Sequence, residues 1–191
     1  MLASRSPQRR AILAQLGITF EVRVPEVSEL EQGPPHEVAV ENAFRKAHAV
    51  SDALARAGTD RDASIPVLGV DTVVAVGGRL YGKPTDEEQA RATLSTLSGR
   101  RHTVIGGLCL IEDGEPRTVA ASTAVTFRSL DERLLSWYLA TGEWRERAGA
   151  YAIQGRGAAL VKKVEGDYLN VVGLPVSTLL ELAPALLQPP R

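Results

Sequence analysis

Apolar residues follow two periods along this chain, and each period marks its own elements. Val67 to Gly78 is nearly unbroken, apolar and rich in β-branched residues, and it ends on Gly77-Gly78. It reads as a buried strand closing on a hairpin turn, with Asp71 as its one charge. From His36 to Ala57 the period is helical, and Val40, Ala43, Phe44, Ala47, Val50 and Leu54 form the stripe expected to be buried. Ser6-Pro7 predicts a helix start, with Ser as N-cap and Pro at the first position. Ile12, Leu13 and Leu16 supply its apolar face and Gly17 its stop. Further helices are expected from Asp86 to Leu97, from Asp131 to Ala140, and near the C-terminus on Leu179, Leu180, Leu182 and Leu186.

Strands are expected at Leu2-Ala3, Ile18 to Val24, Arg101 to Glu112, Arg117 to Arg128 and Ala159 to Val164. Asp113-Gly114 joins the third and fourth of these as a hairpin. Gly58 to Ser64 reads as a polar loop. Thr141 to Gly157 is a long glycine-rich connection, and connections of that length are usually functional.

Length suits one domain, 1–187, with a short Pro-rich tail at 188–191. A net charge of −1 gives no electrostatic case for nucleic acid or an anionic membrane. No apolar run is long enough to span a bilayer, and the N-terminus lacks a signal-peptide core. The single Cys109 sits in an apolar strand as a buried small hydrophobe. It excludes an internal disulfide framework and fits a reducing cytoplasm. His36 and His48 have no ligand-spaced partner and are expected in solvent, and His102 is expected to pack or to contact backbone. No Ser-His-Asp set or clustered zinc site is readable.

Candidate chemistry centres on Asp71. A carboxylate in a buried strand must be paired or must hold a metal. It is either a structural hydrogen-bonding group or a general base or metal ligand on a rigid floor. Arg5, Arg9 and Arg10 surround a helix N-terminus that is already positive. They either point into water or complete a phosphate site. Glu26 and Glu29 follow Pro25 in a loop, solvated or near a metal. Lys46, on the flank of its helix, is either a surface lysine or leans over a cleft. Gly77 to Lys83 fits seven positions of the phosphate-binding loop G-x-x-x-x-G-K-S/T, but the eighth is Pro84, so the hydroxyl that would hold Mg²⁺ is missing. Lys83 can still meet phosphate as a point charge.

Taken in order, several short motifs resemble the Maf family of nucleotide pyrophosphatases. They are Leu2-Ala-Ser-x-Ser-Pro7 with Arg9, Glu29 after Pro25, Lys46-Ala47, Gly69-x-Asp-Thr72, Gly82-Lys-Pro84, Leu97-Ser-Gly99 with His102, Gly142-Glu143, Ala148-Gly-Ala-Tyr-x-Ile-Gln-Gly155, Gly166-Asp-Tyr168 and Val172-Gly-Leu-Pro175. The resemblance implies an α/β fold, a single domain with an elongated mixed sheet flanked by helices and two lobes around an active-site cleft. It implies cytoplasmic hydrolysis of nucleoside triphosphates to monophosphate and pyrophosphate with a divalent cation, Mg²⁺ or Mn²⁺. The expected partner is the nucleotide, not nucleic acid or membrane, and a homodimer is compatible.

By position, Asp71 matches the family's proton acceptor, and Ser6, Arg9, Lys46 and Lys83 its phosphate contacts. Glu29 matches its acidic partner, so that Asp71 and Glu29 form the metal pair. Gln8, Thr72 and Gln154 match its specificity positions. Thr72 and Gln154 follow the dTTP/UTP pattern and Gln8 follows neither that pattern nor the 7-methylguanosine triphosphate pattern. Ser28, Trp144 and Arg147 depart from frequent Asp, Pro and Lys. The alternatives are a pyrophosphatase of modified purine nucleotides such as 7-methylguanosine triphosphate, or a non-catalytic nucleotide-binding regulator of cell division.

Overall fold

The computed structural model describes residues 1–57 and 65–187. The polar loop expected at 58–64 and the tail at 188–191 lie outside the described residues. The elements are β1 (Leu2–Ala3), α1 (Pro7–Gln15), α2 (Pro35–Ala57), β2 (Val67–Val76), β3 (Arg79–Tyr81), α3 (Glu87–Leu97), β4 (Arg101–Glu112), β5 (Glu115–Phe127), α4 (Glu132–Leu139), β6 (Val161–Glu165), α5 (Tyr168–Val172) and α6 (Val176–Leu182). The strands form one mixed sheet in the order β1-β2-β4-β5-β6, with β3 also on β2. Only β1 runs parallel to β2; the other named pairs are antiparallel. This is the expected α/β class, a mixed sheet flanked by helices. Gly77 and Gly78 both have positive φ, 56° and 81°, as a two-residue hairpin turn requires.

Alternation along β2 places the site. Val67, Gly69, Asp71, Val73 and Ala75 face α2, where Val67 packs with Ala43 and Ala47, and Ala75 with Ala39. Leu68 and Val70 face the other way into a cluster with Leu13, Leu174 and Leu179. Val74, on that same face, joins a second cluster with Leu94, Tyr138 and Leu139. The two clusters part at Thr72. On the α2 side the sheet is glycine-backed: a Cβ at Gly69 would stand 2.1 Å from the Ala43 carbonyl oxygen, and one at Gly107 2.1 Å from that of Ala39. Gly107 pairs with Asp71 across the β2–β4 ladder. The helix therefore lies directly against backbone at Asp71's own level.

Four expectations need correction. The strand expected over Ile18 to Val24 shrinks to a single parallel bridge, Leu2 with Val22. Its neighbour β1 has two residues, so the bonds across to it are two, from Leu2 N to Glu21 O and from Arg23 N to Leu2 O. The buried face of α2 is Val38, Ala39, Asn42, Ala43, Lys46, Ala47, Val50 and Leu54, while Val40 and Phe44 are half-buried. A glycine-backed sheet admits alanine against it and turns the bulkier pair aside. The last strand is Val161–Glu165, because Gly155–Leu160 winds into a 3₁₀ helix first. The final helix ends at Leu182, and Leu186 lies exposed in a separate 3₁₀ turn.

Candidate active site

Asp71 is 5% exposed, so its charge must be met by protein. Two residues of α2, four apart and so on one face, meet it. Lys46 Nζ donates to Asp71 Oδ1 at 2.6 Å, and Asn42 Nδ2 donates to Oδ2 at 3.2 Å. Lys46 is 7% exposed and has a second partner: its Nζ lies 2.7 Å from Glu29 Oε1. Lys46 thus points inward between two carboxylates. Burial alone would push the Glu29 carboxyl up. The charge and hydrogen bond of Lys46, with Lys83 and Arg9 further off, outweigh that and hold it below its ordinary 4.5. One ammonium shared by two carboxylates leaves a negative charge over, at the place where Arg9 and Lys83 add their fields.

Arg9 is buried on the Thr72 side of β2. Its Nε donates to Gly173 O at 2.9 Å, Nη1 to Ser4 Oγ at 3.0 Å and Nη2 to Thr72 Oγ1 at 3.1 Å. It ties α1, β2 and the turn after α5 together at the junction of the two apolar clusters. Burial lowers its pKa from the ordinary value of 12.5, against the pull of Asp71 and Glu29. Ser6 starts α1 as expected, with Pro7 at the first position, but its hydroxyl does not cap the helix. It donates to Gln8 Oε1 at 3.1 Å instead. Gln8, in the first turn of α1, thereby has its side-chain carbonyl engaged, and the Thr72 hydroxyl faces Arg9.

Lys83 follows β3 and is 54% exposed at its side chain, with a loose contact of 3.8 Å to Glu146. The phosphate-loop resemblance at Gly77 to Lys83 dissolves into the β2–β3 hairpin, since α3 starts only after Asp86, its N-cap. Gln154 is exposed at the start of the Gly155–Leu160 turn. That turn is held by Glu143, whose Oε2 accepts from Arg156 N at 3.0 Å and Gly157 N at 3.3 Å. The long glycine-rich connection is therefore a packed structure. Trp144 is buried and donates from Nε1 to Leu139 O, and Gly149 N donates to Gly82 O, next to Lys83.

The other candidates fall away from this centre. His102 packs edge-on to Phe127 and Tyr151, with Nε2 2.9 Å from the Tyr151 hydroxyl, and burial pulls its pKa down to about 4. His36 and His48 are exposed, on Ser122 and Asp52. Cys109 is buried and its thiol is pushed up to about 11 by burial, the state of an inert side chain.

A buried Asp on β2, a lysine on it from α2, an arginine behind and a loop carboxylate in front bring together four of the short motifs. The family profile described as Maf-like protein matches residues 1–186. The chain belongs to the Maf family. It is 44% identical over 183 residues to the dTTP/UTP pyrophosphatase of Thermococcus kodakarensis, covering 95% of this chain and 94% of that one. It is 43% identical over 184 residues to the dTTP/UTP pyrophosphatase of Symbiobacterium thermophilum, covering 95% and 91%. A third dTTP/UTP pyrophosphatase, from Pelotomaculum thermopropionicum, is 45% identical over 186 residues, covering 95% and 93%.

Within this Maf fold, Asn42 is a site residue to which none of the sequence motifs pointed. Its signal was spacing: it precedes Lys46 by one helical turn. A metal would have to rely on Asp71 and Glu29, for among the described residues no three His, Cys, Asp or Glu side chains cluster. Two carboxylates with one uncompensated charge do fit a magnesium-like ion, which commonly uses one or two carboxylates and completes its shell with water and substrate phosphates.

Proposed function

We propose that this chain is a nucleoside triphosphate pyrophosphatase that hydrolyses (d)NTP to (d)NMP and pyrophosphate, with dTTP and UTP preferred. The observation that carries the reading is the buried Asp71, whose carboxyl oxygens are held by Lys46 and Asn42 on a rigid strand. The relatives' designation as dTTP/UTP pyrophosphatases supports the substrate class.

In this mechanism Asp71 accepts the proton of the attacking water. The bond to the oxygen bridging the α- and β-phosphates breaks, and pyrophosphate leaves with the electron pair. Lys46 and Lys83 donate to the phosphate oxygens, and the Ser6 hydroxyl adds a neutral donor at the start of α1. Three of Arg9's five N–H groups are spent on protein, so it holds α1 against β2 and has two donors left for phosphate. Asp71 and Glu29 would hold a divalent cation, Mg²⁺ or Mn²⁺, which supplies charge neutralisation on the phosphate oxygens when bound.

For the base, Gln154 offers one donor and one acceptor to the adjacent carbonyl and N–H of uracil or thymine, and it carries no charge for a cationic methylated guanine. Thr72 and Gln8 are the companion positions. A cytoplasmic setting accords with the single buried thiol, and among the described residues no helix is long and apolar enough to cross a membrane.

The test is a triphosphate panel with Mg²⁺ or Mn²⁺, assayed for monophosphate and pyrophosphate together. The expected result is stoichiometric release of both, fastest for dTTP and UTP. A higher kcat/KM for 7-methylguanosine triphosphate would overturn the base assignment. Binding without turnover on every triphosphate would overturn the reaction and leave a nucleotide-binding regulator.

A further inference from the structure

Glu29 stands in a segment with little to hold it. Among the described residues, no backbone–backbone hydrogen bond ties residues 24–33 to the rest of the chain. Such a loop would wander unless side chains replaced the missing ladder. Besides the Lys46–Glu29 ion pair, two side chains of α2 reach its backbone: Arg45 Nη1 donates to Ser28 O at 3.4 Å from the exposed side, and the buried Asn42 makes the shorter pair of contacts. Asn42 Oδ1 accepts from Leu30 N at 2.7 Å, and Asn42 Nδ2 donates to Leu30 O at 3.0 Å. The side-chain amide thus mimics a neighbouring strand, taking both backbone groups of one residue. Nδ2 then spends its second hydrogen on Asp71 Oδ2 at 3.2 Å. Asn42 is 2% exposed, and both of its N–H groups are used. It has no donor left for a substrate.

From this geometry we propose that Asn42 is a positioning residue, a clamp that fixes the Glu29 loop to the strand bearing Asp71. The inference rests on the pyrophosphatase reading for its effect on turnover, but not for its effect on the loop. The amide plane is set by Leu30, so the remaining N–H is aimed at Asp71. Residue 29 is next to the clamped residue, so its carboxylate is delivered to Lys46 from a fixed point. Lys46 bonds both carboxylates, yet its long stem could follow a displaced Glu29; the short, planar Asn42 cannot. Aspartate there would lose both donations and set a carboxylate against Asp71. Serine would be too short to span both partners.

The experiment has two arms. Hydrogen–deuterium exchange on Asn42→Ala should show faster exchange across 24–33, with the β2 and β4 peptides unchanged. On dTTP, Asn42→Ala should lower kcat by roughly 10–100-fold with a much smaller change in KM, the scale seen when a group supporting a site is lost. In a double-mutant cycle, Asn42→Ala with Glu29→Gln should lose no more than the greater single variant, because both remove the placement of one carboxylate. Unchanged loop exchange, or losses that multiply, would overturn the clamp.

If Asn42→Ala does not fold, Leu30→Pro removes the amide donor from the exposed side of the same bond pair. It should reproduce the loss in kcat, and wild-type kcat there would overturn the proposal. A wild-type chain that hydrolyses no triphosphate would sink the functional reading alone, and the exchange arm would still decide the clamp.

Discussion

Replacing Lys46 by methionine keeps most of the stem's volume and removes the charge between Asp71 and Glu29. In the wild-type chain the lysine Nζ sits 2.6 Å from one carboxylate and 2.7 Å from the other. Asp71 cannot turn to water, being buried on a strand, and retains only the Asn42 donor. Removing one partner of a buried pair typically costs about 3–5 kcal/mol. The lower end applies, because the Glu29 side chain is 40% exposed and can relax into solvent. At ~2–4 °C per kcal/mol for a domain of this size, Tm at neutral pH should fall by roughly 6–12 °C.

The deficit should also shrink in acid. A carboxyl whose folded pKa lies below its unfolded value contributes stability above the unfolded value and loses it as pH falls through the folded one. For Glu29 that window opens below its ordinary 4.5. Calorimetry of Lys46→Met and wild type from neutral to acid pH, with chelator present, reads both effects. Adding Mn²⁺ should restore more stability to the variant than to wild type, since a cation can then sit between the two carboxylates. Equal Tm values at neutral pH would refute the reasoning, for they would mean that no uncompensated carboxylate had been left buried.

Asp71→Asn preserves shape and removes the proton acceptor, so kcat on dTTP should fall at least a hundredfold, on the order of lost general-base help, while nucleotide affinity by calorimetry changes little. Near-normal turnover in the folded variant would refute the base. Lys83→Ala should raise KM for the triphosphate more than it weakens the monophosphate product, a split that comparative inhibition constants would show; equal losses would make the lysine structural. His102 titrates at 6.5 when unfolded but only at about 4 when folded. Stability should therefore drop by roughly 3 kcal/mol as pH falls through that interval, and His102→Gln should flatten the slope in urea titrations.

Buried periodicity made much of the fold legible. β2 announced itself by an unbroken apolar run, and its hairpin by two adjacent glycines. The β4–β5 hairpin followed from Asp113-Gly114, both at positive φ, 51° and 80°. What escaped were features that depend on a partner far away in sequence. The strand expected at Ile18 failed because β1 is too short to pair with more than one residue, which no local pattern reveals. The helical stripe was misplaced by about one residue toward Val40 and Phe44, because bulk was used as the guide where the sheet offers glycine.

Asp71 was legible for the same reason β2 was, as one charge in an apolar run. Lys46 was legible as a cation on a helix, but its pattern alone left solvent and cleft as equal choices, which its burial between two carboxylates decides. The Ser6 hydroxyl satisfied every local rule for a cap and yet bonds Gln8. Asn42 carried no charge and broke no pattern, so its spacing of one turn from Lys46 gains meaning only from the pairing of its amide with Leu30 and Asp71.

Gly69 and Gly107 perform no chemistry, yet they act as the gauge of this site. Asparagine is short and planar, so whether it touches Asp71 depends on how near the helix axis comes to the strand. Two absent methyl groups set that spacing. A methyl at either position would lift α2 and draw Asn42 back from Asp71, leaving the same side chains in the same order with only the longer lysine able to follow. Selection for turnover should therefore tolerate less at these two silent positions than at Arg5 or Arg10, whose charges look far more purposeful on the page. The same spacing limits redesign: a shorter cation or a longer amide on α2 has no intermediate setting to adjust to, and a new specificity would have to be built on the opposite face of β2, where Thr72 meets Arg9.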